Sequence, residues 1–232
     1  MSAYVSAVKP YKGLGMEGNV ARWYASLTAK SLEEFRVLAR RVAAQIPAAA
    51  SVLEVAPGPG YFAIELAKLG NYAISGLDIS ETFVGIARAN AQKERVAVDF
   101  RRGNASAMPF GDGTFDFLLC RAAFKNFAEP VRALIEMHRV LKPGGQAMII
   151  DLRRDASNEA IRSMVGAMHL GILNAVLTRL TFRFMLLKRA YTKSEMEEMI
   201  AETDFRGIEI RENAIGLDVL LTRAEADRDE KL

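Results

Sequence analysis

The residues best suited to do chemistry form a loop rich in glycine and proline directly after a short apolar segment. A buried strand is predicted over Ser51–Ala56, and the loop Glu54-Val55-Ala56-Pro57-Gly58-Pro59-Gly60 leads into helical spacing from Tyr61. Glycines at such a turn let the backbone approach a ligand closely, and the helix start offers free N–H groups. The pattern therefore predicts a cofactor site where this strand ends.

Taken alone, the glycine spacing fits a dinucleotide site. Gly58, Gly60 and Ala63 satisfy G-x-G-x-x-G/A, and Asp78 follows the loop at about the ~20 residues expected for a ribose-binding acid. Asp78 can accept hydrogen bonds from both hydroxyls of a ribose in any adenosine cofactor. Its alternative interpretation is a helix N-terminal charge. An NAD(P)-dependent oxidoreductase is therefore one candidate.

Two details of the loop favour S-adenosylmethionine (SAM) instead. Pro57 and Pro59 each remove a backbone N–H that a pyrophosphate would need. Glu54 places an acid beside the loop, which suits a ligand with an ammonium and a sulfonium but not a phosphate. SAM is the preferred cofactor, with S-adenosylhomocysteine as its product.

Apolar segments of strand and helix type alternate through the middle of the chain. This alternation predicts a mostly parallel sheet with helices on both faces, and a ligand site outside the carboxyl ends of the strands. The predicted strands are 51–56, 72–78, 96–102, 115–120 and 146–151, and the helices between them are 61–69, 80–92 and 130–141.

The rhythm changes after Asp151. A long, Met-rich helical stretch is predicted over 158–189, followed by a helix over 192–202 with Thr192 and Glu195 as a capping box. Two last strands, 207–211 and 216–222, are predicted to form an antiparallel hairpin at the sheet edge. The expected architecture is a Rossmann-like α/β fold with a seven-stranded, mostly parallel sheet and a helical cap.

The bulk properties exclude several other classes of protein. The formal charge of +3 is spread along the chain, without the basic stripe that a nucleic-acid site needs. The single cysteine, Cys120, excludes an internal disulfide, and no Cys/His cluster suggests zinc. The start of the chain has no apolar signal-peptide core, and the longest uncharged apolar run, 163–178, is shorter than the ~20 residues of a bilayer span. A cytoplasmic protein without a transmembrane segment is expected.

Five motifs in order resemble the class I, Rossmann-like SAM-dependent methyltransferases, especially the branch with small-molecule and quinone-biosynthesis enzymes. The resemblance covers about 51–151. The motifs are Val52-Leu-Glu-Val-Ala-Pro-Gly-Pro-Gly60, Gly76-Leu-Asp-Ile-Ser80, Gly103-Asn-Ala-Ser-Ala-Met-Pro-Phe110, Phe115-Asp-Phe117 and Arg139-Val-Leu-Lys-Pro-Gly-Gly145.

The resemblance also implies roles for individual residues. The loop from Glu54 to Gly60 would pass under the methionine part of SAM, and Asp78 would hold the ribose. The adenine would meet Ile79, Asn104 and Ala105, and the methionine end would lie near Arg121. Two residues depart from the family pattern: Ala56 replaces a usual glycine and is tolerable if it keeps φ below zero, and Asn104 replaces a frequent aspartate.

Residues for the methyl transfer itself are harder to predict, because an in-line displacement needs alignment and exclusion of water more than a general base. The candidates are His169, Tyr24 and Tyr191. Aromatic residues of the N-terminal segment, Tyr11 and Trp23 among them, are expected to shield the sulfonium or to pack. Lys125 follows the fourth strand and is expected to be solvated or to orient an acidic substrate. His138 is expected on a helix surface and Cys120 in the core.

The whole chain is interpreted as one methyltransferase domain. It divides into an N-terminal helical cap segment (1–45), a SAM-binding core (51–151), a helical lid (155–190) and a C-terminal helix with hairpin (191–223). The lid is apolar and flanked by basic residues, so it is interpreted as a packed lid, an apolar substrate pocket or a peripheral membrane contact. The expected partner is a small, apolar or aromatic methyl acceptor. A SAM-binding protein without turnover is the remaining alternative, and the oligomeric state stays open, with a homodimer among the options.

Overall fold

A computed structural model describes residues 11–12, 15–167, 171, 176, 178–180, 183 and 186–225. The helices are α1 (Gly18–Thr28), α2 (Leu32–Ala43), α3 (Tyr61–Ala67), α4 (Glu81–Glu94), α5 (Pro130–Val140), α6 (Asn158–Ala167) and α7 (Lys193–Ala201). The strands are β1 (Ser51–Val55), β2 (Ala73–Asp78), β3 (Asp99–Arg102), β4 (Phe115–Arg121), β5 (Leu141–Leu152), β6 (Gly207–Glu212) and β7 (Gly216–Thr222).

The strands of the described residues form one sheet in the order β3-β2-β1-β4-β5-β7-β6. Strands β1 to β5 pair in parallel, which requires the crossover helices that the sequence predicts between them. Strand β7 runs antiparallel between β5 and β6. The predicted Rossmann-like sheet of seven strands with a C-terminal antiparallel hairpin is confirmed.

The sheet has an apolar core on each face because its central strands are buried on both sides. Along β1, Val52 packs with Phe62 of α3 on one face, together with α2 and α4. The alternate residue Leu53 packs with Leu134 of α5 and Ile200 of α7 on the other face. This two-sided burial explains why the strand sequences read as continuous apolar runs.

Three predictions differ from the structure by more than two residues. Strand β5 begins at Leu141, which pairs with Phe115, although the strand was expected to begin at 146 and Leu141 to end the helix before it. The register is irregular between this pair and Gln146, so an irregular lead-in precedes the predicted strand. Strand β3 covers four residues instead of seven. Of the predicted long helix, α6 and a 3₁₀ turn at Leu187–Arg189 are described, and most of 168–185 lies outside the described residues.

The N-terminal cap segment contains two helices, α1 and α2, on the side of the sheet that also carries α3 and α4. Helix α2 packs its buried residues Phe35, Leu38 and Val42 on that face. Helix α1 buries Ala21 and Ala25 and contacts α4. In the part of the chain that the structure describes, no helix combines the length and the apolar character needed to cross a membrane.

Candidate functional site

The candidate site lies at the carboxyl edge of the sheet, where β1 and β4 are neighbours. The chain leaves β1 towards β2 on one side and β4 towards β5 on the other, so the loops after these two strands diverge and leave a crevice between them. In open α/β sheets this switch in strand order is where ligands bind. The predicted cofactor loop and the loop 121–126 after β4 border this crevice.

The glycine loop turns through the left-handed backbone region three times. Ala56, Gly58 and Gly60 have φ of 57°, 54° and 78°. Ala56 therefore does not keep φ below zero, which was the condition for replacing the usual glycine without strain. An alanine in this conformation costs roughly 1 kcal/mol. At Gly60 a Cβ atom would lie 2.6 Å from Cζ of Phe100, so only glycine fits, whereas a Cβ at Gly58 would meet nothing within 4 Å. The loop thus presents an open backbone face at Gly58.

Asp78 lies beside this open face at the end of β2 and is 5% exposed. The N–H groups of Gly58 and Ser80 donate to its Oδ2 and Oδ1, each at 2.9 Å. Burial raises the pKa of Asp78 to about 6 in spite of these hydrogen bonds. Among the described residues it forms no ion pair, and Ser80 itself caps α4 by accepting from the Phe83 N–H. The carboxylate is therefore open to further donors from a ligand.

Glu54 lies deeper in the same half of the site. Its Oε2 accepts a hydrogen bond from the N–H of Ala63 at 3.1 Å, at the start of α3. Burial raises the pKa of Glu54 to about 8, although Ala63 and the charge of Arg121 act in the opposite direction. The standing negative charge expected from the sequence is therefore largely absent at neutral pH until a cation approaches this carboxyl group.

The residues predicted to meet the adenine surround the ends of β2 and β3. Ile79 and Ala105 are half-buried there, and the Gly103 N–H donates to the backbone oxygen of Asp78 at 2.9 Å, which holds the two loops together. The side-chain oxygen of Asn104 accepts from the backbone N–H of Ser106 at 3.0 Å within its own loop. Its amide N–H groups are therefore the donors that it can offer to a ligand.

Arg121, at the end of β4, turns towards α2. Its guanidinium is 2.9 Å from a carboxylate oxygen of Glu34 and 4.5 Å from the ring centroid of Phe35. This position places the cation between Glu54 and α2, close enough to lower the pKa of Glu54. Arg121 thus lies at the boundary between the two loops, as its place at the strand end predicts.

The loop after β4 is held by a buried ion pair that the sequence did not indicate. The Nζ atom of Lys125 is 2.7 Å from Oδ1 of Asp151 and donates to the backbone oxygen of Ala122 at 2.6 Å. The backbone N–H groups of Lys125 and Leu152 also donate to the Asp151 carboxylate. The expectation of a solvated Lys125 is wrong, since a carboxylate buried at the end of β5 needs a counter-charge. The available signal was Asp151 itself, an acid that ends an apolar strand.

Residues 11–12 and 15–17, which we call the N-terminal strap, contact the loops on both sides of the crevice. At one end the Lys12 N–H donates to the backbone oxygen of Asn126 at 2.7 Å. At the other end Ser80 Oγ donates to the backbone oxygen of Met16 at 2.6 Å. The Glu17 carboxylate accepts from the first N–H groups of α4. The strap therefore ties the loop after β4 to the loop after β2.

Two tyrosines lie near each other at the crevice: Tyr11 in the strap and Tyr24 on α1. Burial raises the pKa of Tyr11, and the charges of Asp78 and Asp151 act in the same direction, so its ring lies within the field of both acids. Burial also raises the pKa of Tyr24, which senses Arg121 and Asp151. Neither hydroxyl has a hydrogen-bond partner among the described residues. Both phenols therefore remain protonated and are available as donors to a ligand.

The remaining two catalytic candidates differ in what can be said of them. Tyr191 lies just before α7, where its hydroxyl accepts from Nζ of Lys12 at 2.9 Å and its ring lies 5.8 Å from that of Phe124. It therefore supports the strap and borders the β4 side of the crevice. His169 lies outside the described residues. His138 is on α5, where its ring packs edge-on against Phe205, in keeping with a structural role.

A second depression, of about 750 Å³, lies at the opposite edge of the sheet. It is bordered by the starts of β1, β2 and β4, by β3, and by side chains that include Tyr72, Arg88 and Arg101. It is open to solvent and contains none of the predicted site residues. Because parallel sheets bind ligands at their carboxyl ends, the crevice is the better candidate.

The topology separates the two cofactor hypotheses. A dinucleotide-binding Rossmann sheet has the order 3-2-1-4-5-6, whereas here an antiparallel strand, β7, lies between β5 and β6. The sequence model of a family described as "Methyltransferase domain" matches residues 53–149. Over these residues the chain is therefore similar to methyltransferase domains. SAM, not a dinucleotide, is the cofactor that this family match indicates.

Known proteins resemble this chain in sequence and in fold. A demethylmenaquinone methyltransferase of Deinococcus radiodurans is 38% identical over 107 residues, which are 46% of this chain and 44% of that protein. One from Lactiplantibacillus plantarum is 35% identical over 127 residues, 52% of this chain and 54% of that protein. The chain thus spans about half the length of the curated relatives it matches.

Solved structures extend the likeness of fold to almost the whole chain. A chain from Methanococcus maripaludis, solved as a candidate SAM-dependent methyltransferase, aligns with TM-score 0.75 at 17% identity over 94% of this chain and 98% of that one. A SAM-dependent methyltransferase from Aquifex aeolicus aligns with TM-score 0.60 at 18% identity, over 82% and 97%. The family model covers the loops of the cofactor side, while the strap, Tyr24 and Tyr191 lie outside it.

Proposed function

We propose that this protein transfers a methyl group from SAM to a small aromatic or apolar molecule. The observation that carries the proposal is Asp78, a buried carboxylate without an ion-pair partner among the described residues, next to the open backbone face at Gly58. A carboxylate in this position is best stabilised by a ligand that brings hydrogen-bond donors, and a ribose brings two neighbouring hydroxyls. Hydrogen bonds to charged groups contribute about 1.5–3 kcal/mol each.

The cofactor would be held mainly by backbone and strand-end groups. We assign to this role Glu54, Ala56, Pro57, Gly58, Gly60, Asp78, Ile79, Asn104, Ala105 and Arg121. SAM, when bound, supplies an electrophilic methyl group on a sulfonium. The ammonium end would approach Glu54, whose carboxyl would lose its proton as the cation replaces water there.

The methyl acceptor would enter from the β4 and β5 side of the crevice. Tyr24 and Tyr191 border that side, and Tyr11 and the strap cover it, so these residues would orient the acceptor and exclude water. His169, in the lid, is our candidate for the base if the acceptor must lose a proton. A ring-shaped, apolar acceptor is supported by the aromatic ring of Tyr191, which packs on the buried Phe124, and by the similarity to demethylmenaquinone methyltransferases.

Two measurements test the proposal. The first is calorimetric titration with SAM and, separately, with NAD(P), in which SAM should bind and NAD(P) should not. The second is transfer from SAM labelled in its methyl group to a panel of hydroquinones, phenols, thiols and amines. Tight NAD(P) binding without SAM binding would overturn the cofactor assignment. SAM binding without transfer to any panel member would favour a SAM-binding protein without turnover.

The acceptor side can be tested with substitutions in the lid and at the tyrosines. Met168→Glu with Phe184→Glu would introduce charges into the apolar lid and should raise KM for the acceptor while SAM affinity is kept. His169→Gln should lower kcat if His169 is the base. Tyr24→Phe should raise KM, and Tyr61→Phe is its matched control, because the Tyr61 hydroxyl donates to the backbone of α1 instead of facing the crevice. Equal activity in the lid variant would contradict an apolar acceptor pocket.

A further inference from the structure

The outer face of α1 carries an apolar stripe that the fold does not use. Val20, Trp23 and Leu27 are 48%, 65% and 46% exposed. At 100° per residue, positions i, i+3 and i+7 lie on one side of a helix. The opposite side of α1 carries the buried Ala21 and Ala25. The stripe is thus a coherent surface, with the largest side chain of the helix as its most exposed member.

This surface adjoins the candidate site. Tyr24 follows Trp23 directly and turns to the inner side of the helix, where its ring packs edge-on against Phe83 at 5.9 Å. Its hydroxyl end lies under the strap, within the field of Asp151. One helix therefore presents the stripe outward and a site residue inward, so whatever binds the stripe lies next to the mouth of the crevice.

The charged side chains of α1 and the turn after it have one sign. In α1 and the turn after it, residues 18–31, the ionisable side chains other than Tyr24 are Arg22 and Lys30, and both are exposed. The carboxylates next along the chain are engaged elsewhere: Glu17 is held at the N-terminus of α4, and Glu33 and Glu34 pair with arginines of α2 and β4. The segment that carries the apolar stripe thus also carries two exposed cations and no carboxylate.

We propose that the stripe of Val20, Trp23 and Leu27 docks α1 onto the surface of an anionic phospholipid bilayer. A helix that lies in a membrane surface needs an apolar face with Trp or Leu and basic residues at its border, and it needs no great length. The indole suits this boundary because it is amphipathic. Arg22 and Lys30 would meet lipid phosphates. The docking opens the crevice towards the membrane and does not depend on the identity of the methyl acceptor.

The sequence provides its own reporter for this contact, because Trp23 is the single tryptophan of the chain. The full-length protein is titrated with vesicles of phosphatidylglycerol and phosphatidylcholine, and with vesicles of phosphatidylcholine alone. Anionic vesicles should shift the tryptophan emission to shorter wavelength, and brominated acyl chains should quench it. Neutral vesicles should give a much weaker response, and added salt should reduce the response to anionic vesicles.

Variants that keep the reporter locate the contact on the stripe. Val20→Ser with Leu27→Ser should weaken partitioning by roughly tenfold or more, since each change removes a partly exposed apolar side chain that would be buried in lipid. The matched control is Val37→Ser with Ile135→Ser, which are 55% and 46% exposed on other helices. Arg22→Gln should weaken binding about fivefold on anionic vesicles.

Three outcomes would overturn the proposal. The emission of Trp23 without vesicles could already be that of a buried indole, which would show that another part of the chain covers the stripe. The shift could depend on protein concentration and coincide with dimers in sedimentation, which would make a second copy the partner. The stripe variant could bind vesicles as tightly as its control. Calorimetry with SAM on the same variants reports the proposed function separately and should give unchanged affinity.

Discussion

On either side of the junction between β1 and β4, the chain leaves the sheet in the same way. Ala56 follows β1, has φ of 57°, and donates its N–H to Leu77 of β2 at 2.8 Å. Ala122 follows β4, has φ of 58°, and donates its N–H to Ile150 of β5 at 2.7 Å. The loops after β1, β2 and β3 form one half of the crevice, which we call the cofactor half after the role proposed for it. The loops after β4 and β5, with the strap, form the other half, which we call the acceptor half for the same reason.

Each half also has a buried aspartate near the end of its second strand, Asp78 in β2 and Asp151 in β5. Asp78 accepts the N–H of Gly58 from the preceding loop, and Asp151 accepts the N–H of Lys125 from its own preceding loop. The difference is the side chain of Lys125, which neutralises Asp151 from within. Asp78 has no such partner among the described residues. The same backbone arrangement therefore yields one carboxylate that is free for a ligand and one that fixes a loop.

The largest expected effect follows from removing the internal cation. Lys125→Met leaves Asp151 buried and unpaired, which should lower the free energy of unfolding by about 3–5 kcal/mol. Urea denaturation followed by circular dichroism measures this change. Adding Asp151→Leu should restore much of the loss, because the unpaired charge is then gone.

Lys142→Met is the matched control for this pair. Lys142 is 2.8 Å from Asp116 at the opposite edge of the sheet, but its side chain is 40% exposed. An exposed pair contributes about 1 kcal/mol or less. Equal losses in the two variants would mean that burial of the Lys125 pair has no special effect on stability.

The next largest effect is expected on binding. Asp78→Asn should weaken SAM binding about 100-fold, because one amide oxygen replaces a carboxylate that accepts two ribose hydroxyls. Its effect on the free energy of unfolding should be smaller than that of Lys125→Met, because the loss of one acceptor for a backbone N–H is partly offset by the removal of a buried charge. Calorimetry and urea denaturation on the same variant separate the two quantities. Asp99→Asn, on the exposed strand β3, is the control, and a loss of affinity there of similar size would contradict the assignment.

A pH dependence of SAM affinity should follow from the same carboxyl group. Ribose hydroxyls donate to the ionised form of Asp78, whose pKa burial raises to about 6. SAM affinity should therefore fall as the pH decreases through 6, roughly tenfold by pH 5. The stability of the ligand-free protein runs the other way, because the contribution of protonated Asp78 is complete below about 3.8 and is lost as the pH rises through about 6.

Glu54 would add a second pH dependence, since its pKa of about 8 lies just above the measured range and its ionisation begins within it. The titrations are therefore made in a Glu54→Gln background, with calorimetry from pH 5 to pH 7.5. Asp78→Asn in that background should make the affinity independent of pH. A slope that persists in the double variant would assign the titration to another group.

The cofactor half could be predicted from the sequence because its determinants are local. The glycines, the acid at the end of β2 and the loop after β3 each follow a strand signal within a few residues, and the strand ends of a parallel sheet meet at one edge. What local patterns could not give was the conformation of Ala56. Its φ depends on the hydrogen bond to Leu77 across the sheet, which lies 21 positions further along the chain.

The acceptor half could be predicted only in part because its contacts join distant segments. Lys125 and Asp151 are 26 positions apart, and the bond from Lys12 to Tyr191 spans 179. No periodicity links such residues, so a lysine after β4 was more simply interpreted as solvated. The capping box at Thr192, which is local, was predicted and is confirmed. Neighbouring residues thus determine most of the cofactor half, whereas contacts between distant segments determine most of the acceptor half.

The smallest expected effect is on the free energy of unfolding, and it compares the strain of the left-handed alanine in the two halves. Glycine in place of Ala56 or Ala122 relieves about 1–2 kcal/mol of left-handed strain, less about 0.5–1 kcal/mol for the greater freedom of glycine in the unfolded chain. Each variant should therefore be more stable by about 0.5–1 kcal/mol, whereas Ala89→Gly, at an exposed position inside helix α4, should be less stable by about 1 kcal/mol. Ala56→Gly should leave Asp78 in place and keep SAM affinity. The backbone oxygen of Ala122 accepts a hydrogen bond from Lys125, so Ala122→Gly also loosens a turn that holds the ion pair. A smaller gain in stability at Ala122 than at Ala56 would show that the ion pair and the left-handed turn stabilise each other.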